Sequence, residues 1–453
     1  MGRLEPQKNM IASSPRRFGG NRITRLLLVF LIGAAGLWGA GCDQEPAAGL
    51  PPMPGPTADA AVSPDGGAVI PDGSVPGEPD AGPFDGGVLA PVPGGGGKSA
   101  PFYDEGQVVD VHVSFPPGAW EQLLTSVAVP ANRWVPCGFS WNGESFPGAA
   151  CRRKGNMTYW ALEKKPQFLV RFNHTDKNGR FRGLRRLNFE FFDGTAAPIR
   201  DRVSMWLMRQ SGVDASRANH ARVWKDGMLL GLYQNIEVVD KEFLDDHFGA
   251  ESGGNLWEEG DDLKTNEMLA DDTRLSALIT LIENEPEMAD HTAFWAALDA
   301  LVDISQLLRE MAGETALVAD DNFSNGAANF YFYEHPSRGF LVLPWDFDTA
   351  LTNGAPTEDP FEFWGGGAPD KLRLLINANP AWKAEYVAYL KQIREGPLAN
   401  LPAYVDAVCA QIRGPFSEDR NTNYTLAEFD ADCALVKQRA TERLAFLRAS
   451  LGP

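Results

Sequence analysis

The sequence is poor in the residues that nucleic-acid binding, zinc binding and serine-hydrolase chemistry require. It has 41 Lys and Arg against 60 Asp and Glu, a formal net charge of −19 at pH 7. Phosphate-backbone binding needs clustered cations, so the charge argues against nucleic acid as a partner. The five cysteines form no CxxC pair with a neighbouring histidine, and no zinc site is indicated. The absence of G-x-S-x-G leaves serine-hydrolase chemistry without support.

The N-terminal segment has the features of an export signal. Four arginines between positions 16 and 25 precede an apolar run over 26–38, and Gly39-Ala40-Gly41-Cys42 follows. A basic segment, a short apolar core and small residues are typical of a secretory signal. The cysteine after small residues predicts a bacterial lipoprotein signal over residues 1–42, with Cys42 lipidated and attached to the membrane. Ordinary cleavage nearby is the alternative, because Gly39 stands where Leu is usual.

Residues 43–100 are dominated by Pro, Gly, Ala and Asp. This composition cannot bury a core, and it predicts a flexible linker with a reach on the order of 40 Å. Together with the signal it predicts an exported protein of the cell envelope, on the periplasmic side or the cell surface. A domain anchored in this way would stand away from the membrane.

The cysteines that remain after Cys42 are even in number, as expected in an oxidising compartment. Four cysteines allow three connectivities. The local pairing is the natural expectation: Cys137 with Cys151 across a hairpin turning at Asn142-Gly143, and Cys409 with Cys433 across a loop around Gly414-Pro415.

Hydrophobic residues make up 44% of the whole sequence. This is enough for the globular chain over 101–453 to bury a sizeable core. In its first part, about 101–240, apolar and polar residues alternate as they do in β-strands. One long helix is expected there, between Pro198 and Ser211. The second part, about 241–453, has mainly helical spacing. Helices are expected over Lys241 to Phe248, Thr273 to Glu283, His291 to Leu298, Ile304 to Leu317, Ala381 to Glu395, Leu398 to Ile412 and Thr425 to Leu451. The fold class is therefore α+β.

Two acidic segments flank one predicted hairpin in the helical part. The strands are Phe330 to Tyr333 and Gly339 to Leu343, joined by a loop of five residues. The hairpin would bring Asp321 and Asn329 close to Asp346 and Asp348, the last two in the segment LVLPWDFD. Hard oxygen ligands suit Mg²⁺ or Mn²⁺ carrying phosphates. The alternative for such acids is a turn or a helix cap.

Short motifs recur in order from about Val108 to beyond Ile393, and together they are typical of one family. They are Arg153 to Met157, Lys165 to Phe172, Gly183-Leu184, Ile199 to Asp201, Gly212-Val213, Gly231 to Tyr233, Glu237, Asp240, Phe243-Leu244, Asn255 to Glu258, Asp321, Asn329 and Pro344 to Asp348. This ordered series resembles the spore coat protein H (CotH) kinase family. The resemblance implies an atypical protein-kinase-like domain of two lobes, a β-rich N-lobe and a helical C-lobe.

The resemblance also implies roles in the helical part. Asp321 would be the catalytic residue that orients or deprotonates the acceptor hydroxyl. Asn329 and Asp346 would hold the metal ions, with Asp348 as a further metal ligand. Asp320 competes with Asp321 for the catalytic role, and the neighbouring Asn325 competes with Asn329.

In the strand-rich part, Lys165 resembles the lysine that contacts nucleotide phosphates. Lys154, with Gly155 and Asn156, takes the place of the phosphate-covering loop, in which no G-x-G-x-x-G is present. The resemblance makes Asp201 the helix partner of Lys165, and Glu237 a group facing adenine or ribose. The alternatives are a solvated charge for Lys165 and an ordinary polar strand end for Glu237.

These features predict a kinase that transfers a phosphoryl group from ATP, with Mg²⁺ or Mn²⁺, to Ser or Thr of a protein acceptor. Because ATP is scarce outside the cytoplasm, a catalytically inactive kinase-like surface protein with a binding or adhesion role is the alternative. A third reading, glycan hydrolysis by Asp321 and Asp346 as paired carboxylates, has the ordered family resemblance against it.

Overall fold

The computed structural model describes residues 97–125, 133–154, 165–191, 194–269, 271–283, 291–326, 328–361 and 376–453. The predicted signal over 1–42 and nearly all of the predicted linker lie outside these residues. Ser99 is buried, so packed structure extends slightly ahead of the predicted domain start at 101. Within the described part of the chain, every helix is too short or too polar to cross a membrane.

The strand-rich part forms a closed seven-stranded barrel in the order β1-β2-β3-β4-β5-β7-β6. The strands are β1 Val108–Ser114, β2 Val135–Trp141, β3 Glu144–Arg153, β4 Phe168–Arg171, β5 Arg186–Glu190, β6 Ala218–Lys225 and β7 Met228–Ile236. Neighbouring strands are antiparallel except β1 and β6, whose parallel pairing closes the barrel. The helices α1 (Ala119–Thr125) and α2 (Arg200–Gln210) interrupt the strands. The predicted strand-rich character of this part is confirmed, but closure into a barrel was not predicted.

The barrel hairpin between β2 and β3 turns where the sequence predicted, and the hairpin between β6 and β7 has a turn of the same kind. Asn142 and Gly143 both have positive φ, and so do Asp226 and Gly227. A two-residue hairpin turn of type I′ needs positive φ at both positions, which explains the Asn-Gly and Asp-Gly pairs.

The rest of the chain is mainly helical. Its helices are α3 Lys241–Phe248, α4 Thr273–Glu283, α5 Thr292–Asp299, α6 Ile304–Leu317, α7 Phe323–Gly326, α8 Pro380–Glu395, α9 Pro397–Glu418 and α10 Leu426–Leu451. The overall α+β prediction is therefore confirmed, whereas its description as two kinase-like lobes stays a prediction.

A four-stranded sheet lies among these helices in the order β11-β10-β8-β9. The predicted hairpin forms one side of this sheet, with β10 (Phe330–His335) inside it and β11 (Gly339–Pro344) at its edge. The two strands stay paired as far as His335 and Gly339, so the loop is shorter than the five residues expected. The short strands β8 (Leu256–Glu258) and β9 (Asp262–Leu263) were not predicted, because such short segments carry little periodic signal.

Both expected disulfides are present, Cys137 with Cys151 and Cys409 with Cys433. One detail of the prediction is wrong. Gly414-Pro415 lies inside α9, and the second disulfide instead joins α9 to α10 across the turn that follows Glu418.

The barrel and the helical part pack against each other. Leu232 on β7 and Ala197 before α2 belong to the same buried apolar cluster as the long helices α6, α8, α9 and α10. The barrel interior has its own cluster, rich in aromatic rings such as Phe102, Phe139 and Phe181. The ends of β5 and β11 and the first turn of α2 meet where these two parts join.

Candidate metal and phosphate site

Three carboxylates from distant parts of the chain converge at this junction. Glu190 ends β5, Asp201 lies in the first turn of α2, and Asp346 follows β11. One oxygen of each lies within 4.8 Å of the others. Glu190 and Asp201 are buried and Asp346 is partly buried. Like charges this close repel strongly out of water, so the cluster favours a bound cation or a proton.

Hydrogen bonds fix Asp201 in the cluster. Its Oδ2 accepts from Gln234 Nε2 at 2.9 Å, and its Oδ1 accepts from the backbone N–H of Phe347 at 2.8 Å. Gln234 lies opposite Glu190 in the register of β5 and β7. The barrel strands and the segment after β11 therefore both determine where this carboxylate lies.

Asp346 occupies an unusual backbone conformation. Its φ is 51°, in the left-handed region that non-glycine residues rarely adopt. The buried Asn322 holds this turn, because its Nδ2 donates to the carbonyl of Trp345 at 2.8 Å and to that of Asp346 at 3.3 Å. Backbone strain of this kind is concentrated at functional sites.

The electrostatics of the cluster disfavour its ionised form. Desolvation and the charges of Asp348, Glu190 and Asp201 raise the pKa of Asp346 well above its ordinary value. Desolvation and the charges of Asp201, Glu190 and Asp321 raise the pKa of Asp348 to about 8. Desolvation and Glu190 raise the pKa of Asp201 to about 7. Strongly perturbed acids gathered at a junction of two parts are typical of functional sites.

Lys154 is a cation that lies next to these acids. Its Nζ pairs with Glu190 Oε1, which also accepts from Asn188 Nδ2 at 2.6 Å. The charge of Lys154 lowers the pKa of Asp201, Asp346 and Asp348, although burial and repulsion raise these values more. The Lys154 ammonium group by itself does not balance the charges of Glu190, Asp201 and Asp346.

The residues present fit a divalent cation. The donors are carboxylate oxygens, which are the ligands that Mg²⁺ and Mn²⁺ prefer. Two buried amide oxygens, Asn188 Oδ1 and Asn322 Oδ1, have no hydrogen-bond partner among the described residues. Asn188 bonds to Glu190 and Asn322 to the Asp346 turn, so both amides border the cluster.

Asp321 and Asn329 lie beside the cluster as the hairpin prediction requires. Asn329 Nδ2 donates to the carbonyl of Asp321 at 2.8 Å, and Trp345 N donates to the carbonyl of Asn329 at 3.0 Å. The charge of Asp321 contributes to the raised pKa of Asp348. Direct metal contact by Asn329 stays a prediction.

The competing residues are engaged elsewhere. Asp320 Oδ1 accepts from Thr349 Oγ1 at 2.9 Å, and Asn325 Nδ2 donates to the carbonyl of Ala319 at 2.6 Å. The choice between Asp321 and Asp320 as the catalytic residue stays a prediction.

The predicted ion pair between Lys165 and Asp201 is wrong. Lys165 is buried, its Nζ lies 2.6 Å from Asp419 Oδ2, and the same nitrogen lies 3.6 Å from the centre of the Phe191 ring. The short Asp201 side chain is instead bonded to Gln234 and to the backbone of Phe347.

Glu237 is part of a buried ion pair. Arg217 donates to both of its carboxylate oxygens, and His247 Nε2 lies 3.3 Å from its Oε2. The ion pair with Arg217 and the contact with His247 outweigh desolvation and lower the pKa of Glu237 to about 2. These contacts favour the interpretation of Glu237 as a polar strand end, and its nucleotide contact stays a prediction.

The sequence analysis missed Glu190, Asn188, Gln234 and Asn322. A signal for two of them was present. In the apolar strand LRRLNFEFF, the two-residue period of a strand places Asn188 and Glu190 on one face. Polar residues on a buried face need partners, which marks that face as unusual.

A family model described as CotH kinase protein matches residues 151–447. The match covers more than half of the chain and includes the acidic cluster, Lys154, Asp321 and Asn329. No curated protein sequence matches the chain. The family match agrees with the ordered motifs of the sequence and with the cluster that they form, and the chain belongs to the CotH kinase protein family.

Proposed function

We propose that this protein is an atypical protein kinase that transfers the γ-phosphoryl group of ATP, with Mg²⁺ or Mn²⁺, to Ser or Thr of a protein acceptor. Membership of the CotH kinase family supports kinase activity in general. The observation that carries the proposal is the convergence of Glu190, Asp201 and Asp346 beside Lys154. Phosphoryl transfer depends mainly on positioning and on charge neutralisation, and this set of residues supplies both.

Asp346 and Asp201 are the residues we assign to the metal, with Asp348 and Asn329 completing the set. A divalent cation held by these residues would neutralise the negative charge of the ATP phosphates. The Asn322 bonds to the carbonyls of Trp345 and Asp346 hold the backbone that carries the Asp346 carboxylate. A preorganised site of this kind does not have to rearrange when nucleotide enters.

Asp321 would orient the acceptor hydroxyl and take its proton. Its backbone carbonyl accepts from Asn329 Nδ2, which ties it to the start of β10. Gly326 lies directly against it, because a Cβ at that position would come within 2.8 Å of the Asp321 Cα. Close packing by a residue without a side chain keeps the segment carrying Asp321 at a fixed position.

Lys154 is the residue we assign to the ATP phosphates, in preference to Lys165. Its side chain is 19% exposed and lies at the acids, so an incoming phosphate can reach it. The side chain of Lys165 is 1% exposed and paired with an equally buried acid. Phosphate contact by Lys165 would require that buried ion pair to break.

We also propose that the protein acts outside the cytoplasm, attached to the membrane through Cys42. The two disulfides support an exported location, since structural disulfides persist in oxidising compartments.

The experiment that tests the proposed function is calorimetric titration of the full chain with ATP in the presence of Mg²⁺ or Mn²⁺. Wild type is expected to bind ATP only with metal, and Asp346→Asn is expected to lose that binding. Asp430→Asn is the matched control, because Asp430 is an acid paired with Arg413 on the exposed face of α10. It should bind as wild type does.

Transfer is tested separately with γ-labelled ATP and a mixture of envelope proteins. Label on Ser or Thr of an acceptor that depends on Asp321 supports the kinase. Metal-dependent ATP binding without any transfer would make the protein a nucleotide-binding surface module. Absence of ATP binding under every metal condition would overturn the proposed function.

A further inference from the structure

We infer that Asp432, on α10 and outside the acidic cluster, is a positioning residue that sets the metal affinity of the cluster. The inference rests on the proposed function in taking the cluster to be a metal site. It concerns an ion pair with Arg200, the residue next to Asp201 in the first turn of α2.

The contacts of Asp432 fix the beginning of α2. Its Oδ1 accepts from Arg200 Nη2 at 2.7 Å, and its Oδ2 accepts from Arg200 Nη1 at 3.1 Å. The same Oδ2 accepts from the backbone N–H of Ala197 at 2.8 Å. The Arg200 side chain is 2% exposed and that of Asp432 is 11% exposed. A bidentate ion pair that is buried to this extent has a well-defined geometry.

Arg200 also reaches the segment that carries the metal residues. Its Nε donates to Thr352 Oγ1, and the Thr352 hydroxyl donates to the carbonyl of Ala350 at 3.3 Å. This segment contains Asp346 and Asp348 a few residues earlier. One guanidinium group therefore joins α10, the start of α2 and the chain beyond β11.

The consequence is a fixed separation between Asp201 and Asp346. The two acids come from different elements, and the bond from Phe347 N to Asp201 Oδ1 is their direct connection. The Arg200 side chain, which belongs to α2, is bonded to Thr352 beyond Asp346 and so links the same two elements at a second point. We call this link, together with the Arg200–Asp432 ion pair, the brace. Loss of the brace would leave the bond from Phe347 N to Asp201 Oδ1 to hold α2 against the Asp346 segment, so the spacing of the two acids would be less fixed.

Asp432 itself is held by the neighbouring disulfide. Cys433 is bonded to Cys409 on α9. The position of α10 against α9 is thereby tied covalently, which gives Asp432 a rigid base. Residues that orient metal ligands from outside the coordination sphere typically change metal affinity by about 10–100-fold when substituted.

The test is a calorimetric titration of the full chain with Mn²⁺ alone, carried out well below the unfolding temperature. Asp432→Asn is expected to bind Mn²⁺ about tenfold or more weakly than wild type. The control is Asp430→Asn. Asp430 lies two positions before Asp432 on the same helix and is paired with Arg413, outside the brace. This control is expected to bind Mn²⁺ as wild type does.

The outcomes separate the two proposals. If wild type does not bind Mn²⁺, the proposed function fails, and with it the inference that rests on it. If wild type binds and a folded Asp432→Asn binds equally well, only the inference is overturned, and Asp432 contributes to stability alone. If Asp432→Asn does not fold, Thr352→Val decides, because it removes the hydroxyl that accepts from Arg200 Nε and should also weaken Mn²⁺ binding about tenfold. Unchanged Mn²⁺ affinity in that variant would overturn the inference.

Discussion

Lys165 and Asp419 are 254 positions apart in sequence, yet the Lys165 Nζ lies 2.6 Å from Asp419 Oδ2. The same oxygen accepts from the backbone N–H of Leu232 at 3.0 Å. Gly231 makes the approach possible, because a Cβ there would lie 2.7 Å from Asp419 Oδ2 and 2.8 Å from Lys165 Cε. The turn between α9 and α10 is thus bonded to the edge of β7 and to a barrel lysine. This contact joins the helical part to the barrel.

Lys165→Met is expected to destabilise the protein without abolishing ATP binding by the folded form. Removing one partner of a buried pair leaves the other charge uncompensated and costs about 3–5 kcal/mol. The free energy of unfolding, measured by urea denaturation at pH 7, checks the stability change.

Lys225→Met is the control for this variant, since Lys225 pairs with Asp226 in a more exposed turn. An exposed pair contributes about 0–1 kcal/mol. Unchanged stability of Lys165→Met together with lost ATP binding would contradict the structural assignment and restore Lys165 as the phosphate lysine.

Lys154→Met is expected to act in opposite directions on ATP and on metal. Hydrogen bonds to charged groups contribute about 1.5–3 kcal/mol, so ATP should bind about tenfold or more weakly. Mn²⁺ alone should bind at least as tightly as in wild type, because the variant releases Glu190 and removes a positive charge from the cluster. Two calorimetric titrations, one with each ligand, measure the two effects.

Lys241→Met serves as control, because Lys241 pairs with Asp245 along α3 at the surface. It should change neither affinity. An equal loss of Mn²⁺ and ATP binding in Lys154→Met would mean that the variant disturbs the cluster as a whole, and would remove the support for phosphate contact.

His220 is expected to make the protein less stable in acid. Desolvation and the charge of Arg202 lower the pKa of His220 to about 3 in the folded protein, against 6.5 as its ordinary value. Its Nε2 donates to the carbonyl of Pro198 at 2.7 Å and its Nδ1 accepts from Arg202 at 2.9 Å, so both ring nitrogens are committed in the neutral form. The unfolded chain therefore binds more protons between these two pH values, and stability falls as pH decreases from 6.5 towards 3.

The contribution of this residue is about 1.4 kcal/mol per pH unit at most. His220→Gln removes it, so the stability advantage of wild type over this variant should narrow between pH 7 and pH 4 in urea denaturation. The control His112→Gln changes an exposed side chain on β1 and keeps His220, so its stability advantage over His220→Gln should narrow towards acid pH as that of wild type does. A constant difference between wild type and His220→Gln across this range would contradict the prediction.

Local patterns in the sequence predicted most of the elements. The helices α3, α4 and α6 have the expected limits, and the hairpin turn at Asn142-Gly143 lies where it was predicted. Both disulfides follow from the local pairing of cysteines. These features depend on interactions between residues that are close in sequence, and periodicity and turn chemistry report on such interactions directly.

The partners of charged residues were harder to predict. Lys165 was expected to pair with Asp201, but its partner Asp419 lies in a turn that no motif marked. Glu190 was missed because a single acid in a strand is not informative until the strand next to it is known. In the barrel, Gln234 of β7 lies opposite Glu190, although 44 positions separate them in the numbering.

The sequence by itself determined the α+β class, the disulfide pairs, the acidic hairpin and the family, because each is encoded by residue types at short or fixed spacing. Only the tertiary structure decided which lysine lies at the acids and which one joins the barrel to the helices. It also brought Glu190 and Asp201 to Asp346. The physical reason is that ion pairs and metal clusters depend on distances of a few ångströms between atoms, and barrel closure and helix packing set those distances.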